Sequence, residues 1–480
     1  MSLSETFYWH DYETSGAEVS IDRPLQFAGV RTNRQFEVLG EPLVIYSKPT
    51  PDYLPHPAAV RITGISPQTC LEQGVPEATF IHQIHEQLAQ PGTCGIGYNS
   101  LRFDDEITRY TLYRNFFEPY AREYGQGRSR WDLIDTTRAI AALRPEGIEW
   151  PLNEQGLKSF RLEELSAANG IEHGSAHDAL SDVMATIGLA RLLQQKQPAL
   201  FDQLYAQRSK DAIAPLLSVT EMRPVIHVSG MFGGARHNLA VIVPLAFHPQ
   251  NRNEVICADL AADPSLLAQP PEQIAERLFA SKEQLGDEAL RPGLKAVRIN
   301  KGPVILPTTW LRGEAAERLG LDGDQHRAAL AALRAMREQD AKGFEAKIQA
   351  VFAQRQFEKR TDPDQMLYDG FIDRADNTVM AEVRTASPEQ LAERSWVFKD
   401  RRLPELLFRY RARNYPGSLT AAERDQWREH CRQKLETESH YDFVTELEQE
   451  LAREDLSERQ RSALNDLKLY AGNLLASLGT

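Results

Sequence analysis

Residues 7–16 read FYWHDYETSG. Phe7, Tyr8 and Trp9 suit a half-buried strand, but the carboxylates of Asp11 and Glu13 do not belong at its end unless something compensates them. A strand repeats every two residues, so Asp11 and Glu13 face the same side. The stretch therefore reads as a buried edge strand that ends in a rigid platform for two adjacent negative charges.

Working outward, TFYWHDYE, PLQFAGVRTN and EPLVIYSK read as strands joined by polar turns. Helical spacing follows near 77–89, TCGIGYN at 93–99 is a short buried strand, and residues 103–117 are helical up to Glu118-Pro119. SAHDALSDVMATIGLARLLQQ closes the segment, with Leu180, Val183, Met184, Ile187 and Ala190 on one apolar face. Strands followed by alternating helices and strands predict an α/β layered domain over 1–197. Residues 198–350 carry short strands and tight Gly/Asn turns, an antiparallel β texture with helices inserted near 272–280 and 325–338. Within it, LAVIVPLAF at 239–247 is a buried strand candidate. Residues 354–480 are almost wholly helical in pattern.

The chain has 480 residues, 42% of them hydrophobic and 26% charged, which fits a soluble globular protein of two to four domains. No basic, apolar leader opens it and no apolar run approaches a membrane span. Cys70, Cys94, Cys257 and Cys431 are scattered without a C-x-x-C pair, so a zinc site or disulfide framework is not expected and a reducing cytoplasm is. The formal net charge of −13 argues, taken alone, against a nucleic-acid partner. A local basic groove can nevertheless coexist with an acidic surface.

Acids gather where an α/β sheet places its sites, at strand ends and helix starts. They are Asp11 and Glu13, Asp104 in YNSLRFDDE, and Asp182, with His177 five residues before it. Each alone has a plain explanation. A strand-end acid is usually a turn or cap residue, Asp104 could enrich the first turn of a helix, and Asp178 and Asp182 could line a solvated face. Together they fit hard divalent ions, which take oxygen ligands. Two such ions activate a water and hold a scissile phosphate when a nearby group accepts the proton, and histidine titrates in the right range for that.

HDYET, YNSLRFDDEI and the His177–Asp182 spacing resemble the motifs of the DEDD exonuclease superfamily, in its histidine-containing branch. ITGIS at 62–66 resembles the segment after that superfamily's third strand. DRPLQFA, PDYLP, RYTLYRNFFEPY, RWDLID, LRPEGIEWP, ANGIEH, VSGMFG, HPQNRN and NYPG extend the likeness along nearly the whole chain to the bacterial exodeoxyribonuclease I family. The resemblance implies a ribonuclease H-like exonuclease domain, an SH3-like β domain and an α-helical C-terminal domain. It implies Mg²⁺-dependent, processive 3′→5′ hydrolysis of single-stranded DNA to nucleoside 5′-monophosphates, in DNA repair and recombination. Asp11, Glu13, Asp104 and Asp182 would hold two Mg²⁺ ions, with Mn²⁺ able to substitute, and His177 would be the general base. Asp105 competes with Asp104 for the ligand position. Ser15 departs from the family, whose residue after HDYET is aromatic.

An acidic enzyme of this kind needs local cations and stacking surfaces for its strand. The richest source is KDRRLPELLFRYRARNY at 399–415, where Arg409 and Arg413 share a helix face. The alternative for that segment is an ordinary amphipathic helix whose arginines pair with acids. Arg102, Arg128, Arg130 and Arg161 are further candidates, Arg161 standing just before a helix, where a phosphate is favoured. Glu13 and Thr14 would also meet the substrate. The family further implies binding of the single-strand DNA-binding protein's acidic tail, for which Arg144 and Arg312 have the right neighbourhood. A monomer, cytoplasmic and nucleoid-associated with no membrane contact, is expected. The rivals are a histidine-type exonuclease acting on RNA ends or in proofreading, a non-catalytic scaffold on a nuclease fold, and a β/helical adaptor.

Overall fold

The computed structural model describes residues 5–174, 178–285, 291–353, 360–437 and 443–479. They divide into two compact units. The first comprises Met1–Ser129, Glu172–Ile187 and Lys359–Thr480, the second Arg130–Ile171 and Gly188–Glu358.

In the first unit, strand β1 (Thr6–Thr14) lies between β2 (Pro24–Thr32) and β4 (Thr93–Gly97), with β3 (Leu43–Tyr46) beyond β2. β1 is therefore an interior strand and not the expected edge. Its antiparallel register with β2 sets Asp11 opposite Ala28 and Glu13 opposite Gln26, and it runs parallel to β4 from Thr6 to Trp9. The aromatic run explains this placement, because it supplies large apolar groups to both faces. Phe7 and Trp9 meet Phe36 on one side, where Trp9 Nε1 donates to Thr32 Oγ1 at 2.9 Å. Tyr8 and Tyr12 join Phe27, Phe80 and Ile107 on the other. The ladder shifts register between Glu13 and Thr14, a bulge of the kind that re-aims side chains next to sites.

The helix Asp104–Arg114 is buried along its whole length. It tolerates this because its cations are paired: Arg109 with Glu106 and Glu123, Arg114 with Glu77. Its far side meets the C-terminal helices, where Tyr110, Tyr113 and Phe116 pack with Leu403, Leu406, Leu407 and Tyr410. Those helices also cover Val60 with Leu447, Leu464 and Leu467. At the end of this layer the helix Ala179–Lys196 buries Val183, Ile187 and Ala190 as its spacing predicts. Leu180 is only half-buried, and Met184 is 43% exposed.

The second unit opens with strand β5 (Ser129–Asp132) leading into the helix Leu133–Leu143. Its antiparallel sheet has the order β10-β6-β7-β8-β9. The strands are β6 (Val225–Val228), β7 (Leu239–Phe247), β8 (Glu254–Asp259), β9 (Leu294–Arg298) and β10 (Val304–Pro307). β7 is buried except for Phe247, and Pro244 sits at its register shift, where a residue without an N–H is tolerated. One face packs Val243 and Ile256 against Leu333, Phe344 and Ile348 of the inserted helices. The cysteines are all buried and form no disulfide. Among the described residues no helix is long and apolar enough to cross a membrane.

Candidate active site

The end of β1 and the start of the helix Ala179–Lys196 meet in an acidic cluster. Asp11, Glu13 and Asp182 each offer a carboxylate oxygen within 4.8 Å of the others. Strand period puts the first two on one side, and Asp182 comes from the first turn of its helix. Asp104 is buried at the head of its own helix, and its Oδ1 accepts the backbone N–H of Tyr12 at 3.1 Å. The Asp104 side chain is thus fixed to the middle of the D-x-E motif.

The electrostatics are unfavourable without a cation. Burial pushes the Asp11 carboxyl well up, and Asp104, Glu13 and Asp182 push it further. Burial also lifts Glu13, with Asp182, Asp104 and Asp178 adding to it, up to about 8. Oxygen-only donors in a cluster short of positive charge suit a hard divalent ion.

Adjacent acids on the same helix have separate duties. Asp105 Oδ1 accepts from Arg122 Nη2 at 2.5 Å, both side chains buried. His10 Nε2 lies 4.0 Å from the same oxygen, and burial pushes its ring down to about 4. Asp104 therefore faces the cluster and Asp105 anchors the interior.

His177 lies outside the described residues. A different histidine meets the cluster: His173 Nε2 is 2.5 Å from Asp182 Oδ1, its side chain 9% exposed. In the sequence His173 is only the last residue of ANGIEH, with no motif spacing to single it out. Its separation of nine residues from Asp182 has no helical or strand period, because the chain between them is not one element.

Three family models match consecutive parts of the chain: an exonuclease model over residues 8–190, the exonuclease I SH3-like domain over 208–354, and the exonuclease I C-terminal domain over 361–474. Exodeoxyribonuclease I of Escherichia coli K12 is 47% identical over 461 residues, 96% of each chain. The chain belongs to the exodeoxyribonuclease I family. Among solved structures, E. coli exonuclease I in complex with a dA16 oligonucleotide superposes with a TM-score of 0.93 at 45% identity, covering 98% of this chain and 100% of that one. The zinc ion bound form of an E. coli exonuclease I–ssDNA complex matches equally, with TM-score 0.93, 45% identity and the same coverage.

Within this exodeoxyribonuclease I fold, the cations expected to hold a strand are placed unevenly. The guanidinium of Arg413 is 2% exposed and bonded to Asp52 at 2.8 Å and Asp364 at 2.5 Å. Arg409 is buried against Asp362 and Asp364. Arg402 pairs with Asp400, Arg411 with Glu423 and Lys399 with Asp373. Arg409 and Arg413 thus turn inward onto carboxylates, the arrangement of an amphipathic helix with paired arginines. Arg161 is different, 71% exposed and loosely paired with Glu163 and Glu164 at 3.3 and 3.5 Å. Arg128 donates to the Ala89 carbonyl and Arg130 to that of Asn300. Thr14 is buried, its hydroxyl donating to Gly16 O at 2.7 Å. The Arg144 guanidinium lies over the Trp310 ring, 5.3 Å from its centroid, and Arg312 is exposed two residues further on.

The departure at Ser15 has a local explanation. Its hydroxyl accepts the Arg23 N–H at 2.9 Å and donates to Asp22 Oδ1 at 3.1 Å, and its backbone N–H bonds Arg23 O. The side chain is fully buried, so it ties the loop after the motif to the start of β2.

Proposed function

We propose that this chain is a Mg²⁺-dependent 3′→5′ exonuclease that degrades single-stranded DNA processively and releases nucleoside 5′-monophosphates. The observation carrying this reading is the carboxylate set Asp11, Glu13 and Asp182, the second buried and the other two half-buried, with Asp104 alongside, whose mutual repulsion needs a cation. Those acids would hold two Mg²⁺ ions, with Mn²⁺ as a substitute. When bound, the ions supply an activated water and stabilise charge on the scissile phosphate and leaving oxygen. The chain's own residues do the rest. Asp104 is oriented by the Tyr12 N–H and Asp182 by His173. His177, by its position in the motif, takes the proton from the attacking water. The buried aromatic strand keeps Asp11 and Glu13 in place.

The wider reading includes strand contacts from Glu13, Thr14 and the exposed Arg161, and a role in DNA repair and recombination as a cytoplasmic, nucleoid-associated monomer. Arg144 stacked on Trp310, with the exposed Arg312 two residues along the chain, has the chemistry to take the acidic, apolar tail of the single-strand DNA-binding protein. The domain boundaries of this reading are 1–197, 198–350 and 354–480.

The test is degradation of 3′-labelled single-stranded DNA, duplex DNA and RNA, with and without Mg²⁺. Mononucleotide release from single-stranded DNA alone, abolished by chelator, is the expected result. Equal activity in chelator, or a preference for RNA, would overturn it.

A further inference from the structure

Most cations in the first unit are consumed by carboxylates, but Arg459 is not. It stands in the first turn of the final helix, Glu458–Leu478, and is exposed. Its Nη2 donates to the Thr63 carbonyl at 3.5 Å, at the end of the helix Pro57–Thr63. The next residue, Gly64, has φ 64°, and a Cβ there would come within 2.8 Å of Arg459 Nε. The ITGIS turn thus carries a glycine where the guanidinium passes. Among the described residues no carboxylate pairs with Arg459, whereas neighbouring Arg61 is bonded to Glu450 at 2.6 Å.

The Pro57–Thr63 helix ties this corner to the acidic strand: the N–H of His56, its N-cap, donates to the Ser15 carbonyl just after the motif at 2.8 Å, and Ile65, just past its end, packs with Leu25 and Tyr46. The Tyr46 hydroxyl accepts from Gln26 Nε2 at 2.9 Å, and Gln26 sits opposite Glu13 in the strand register. Gln26 Oε1 in turn accepts the N–H of Ala179, at 3.4 Å, at the start of the helix carrying Asp182. A line of polar side chains therefore runs from the acid cluster towards the final helix.

We infer that Arg459 is a substrate-binding residue, its guanidinium taking a backbone phosphate of the DNA strand beside the acid cluster. This rests on the nuclease reading above. The alternative is that Arg459 only closes off the Thr63 carbonyl, as cations near helix ends often do. One long bond occupies a single donor of the guanidinium, and the remaining donors form the fork that suits a phosphate.

The two roles separate in solution. Binding of a 5′-labelled oligodeoxythymidylate to the full-length chain is followed by fluorescence anisotropy in chelator across a salt series. Arg459→Gln is expected to weaken binding roughly fivefold at low salt and to reduce the slope of log K against log salt by about 0.7, the value for one single-strand phosphate contact. Arg459→Lys should keep most of the slope, and Arg432→Gln, on an exposed face elsewhere, should match the parent. With Mg²⁺, Arg459→Gln should raise KM and leave kcat nearly unchanged. An unchanged slope and affinity in Arg459→Gln, or an equal loss in Arg459→Lys accompanied by a lower melting temperature, would overturn the inference. A parent chain that neither binds nor degrades single-stranded DNA would instead defeat the nuclease reading itself.

Discussion

His173 Nε2 and Asp182 Oδ1 are 2.5 Å apart, and this contact fixes the acid that the helix Ala179–Lys196 brings to the cluster. Groups that orient metal ligands from behind typically contribute ten- to hundredfold to metal affinity. His173→Ala should therefore shift the Mg²⁺ concentration for half-maximal activity upward by about tenfold, while activity at saturating Mg²⁺ falls much less. A magnesium titration of the cleavage rate decides it, and an unmoved midpoint would count against the positioning role.

Asp104 and Asp105 are adjacent and chemically identical, yet their variants should differ in kind. Asp104→Asn should lower activity on the order of a hundredfold or more and leave the urea midpoint close to the parent's. Asp105→Asn leaves the buried Arg122 guanidinium poorly compensated, so it should cost about 3 kcal/mol of stability. Urea denaturation alongside nuclease assays tests both, and a stability loss confined to Asp104→Asn would reverse the assignment.

The acid cluster predicts a proton-linked metal affinity. With Glu13 pushed up to about 8 and Asp11 raised beside it, the metal-free cluster keeps protons at neutral pH. Mg²⁺ binding must displace them, so apparent affinity should climb with pH and level off above 8. Stability of the metal-free protein runs the other way. Carboxyls raised in the folded state contribute stability below the unfolded pKa, about 4.3 for Glu, and this is lost as pH rises through the folded value. Calorimetric Mg²⁺ titrations at pH 7 in two buffers of different ionisation enthalpy should give unequal heats; identical heats would contradict the linkage.

The ion network around Asp364 carries a separate prediction. Burial raises Asp52 and Asp364, but Arg413 foremost, with Arg23 and Lys434, outweighs it and holds both well below the carboxylate range. Their stabilisation is present above the unfolded carboxylate pKa of about 3.9 and is lost as pH falls further below it. Asp364→Ala should cost about 3–5 kcal/mol at neutral pH by stranding Arg413 and Arg409, and should change little with added salt because the pairs are buried. Urea midpoints at low and high salt measure this.

The acid set was legible because its spacing has a physical period: two residues along β1 for Asp11 and Glu13, one helix start each for Asp104 and Asp182. The layered first domain and the antiparallel second sheet were legible for the same reason. The inward ion pairing of Arg409 and Arg413 was not, because their partners Asp52, Asp362 and Asp364 are distant in the chain and joined only by folding. The interior position of β1 escaped notice because an aromatic run looks the same on an edge as between two neighbours. Met184 lies on the apolar arc of its helix but finds no cover there, and periodicity alone cannot show where a packed face stops.

Arg23, whose backbone brackets Ser15 directly after the motif, places its guanidinium 3.6 Å from Asp52 and 3.7 Å from Asp364. The segment that ends the catalytic strand is thus pinned by charges from residues 364 and 413, contributed hundreds of positions later in the chain. The nuclease-like portion is consequently not a transplantable module: a fragment cut near residue 197 would expose Arg23 and Asp52 without the counterions that Asp364 and Arg413 provide, and its active strand would lose its tether. In gene-design terms, the C-terminal helices are part of the catalytic chassis and have to travel with it.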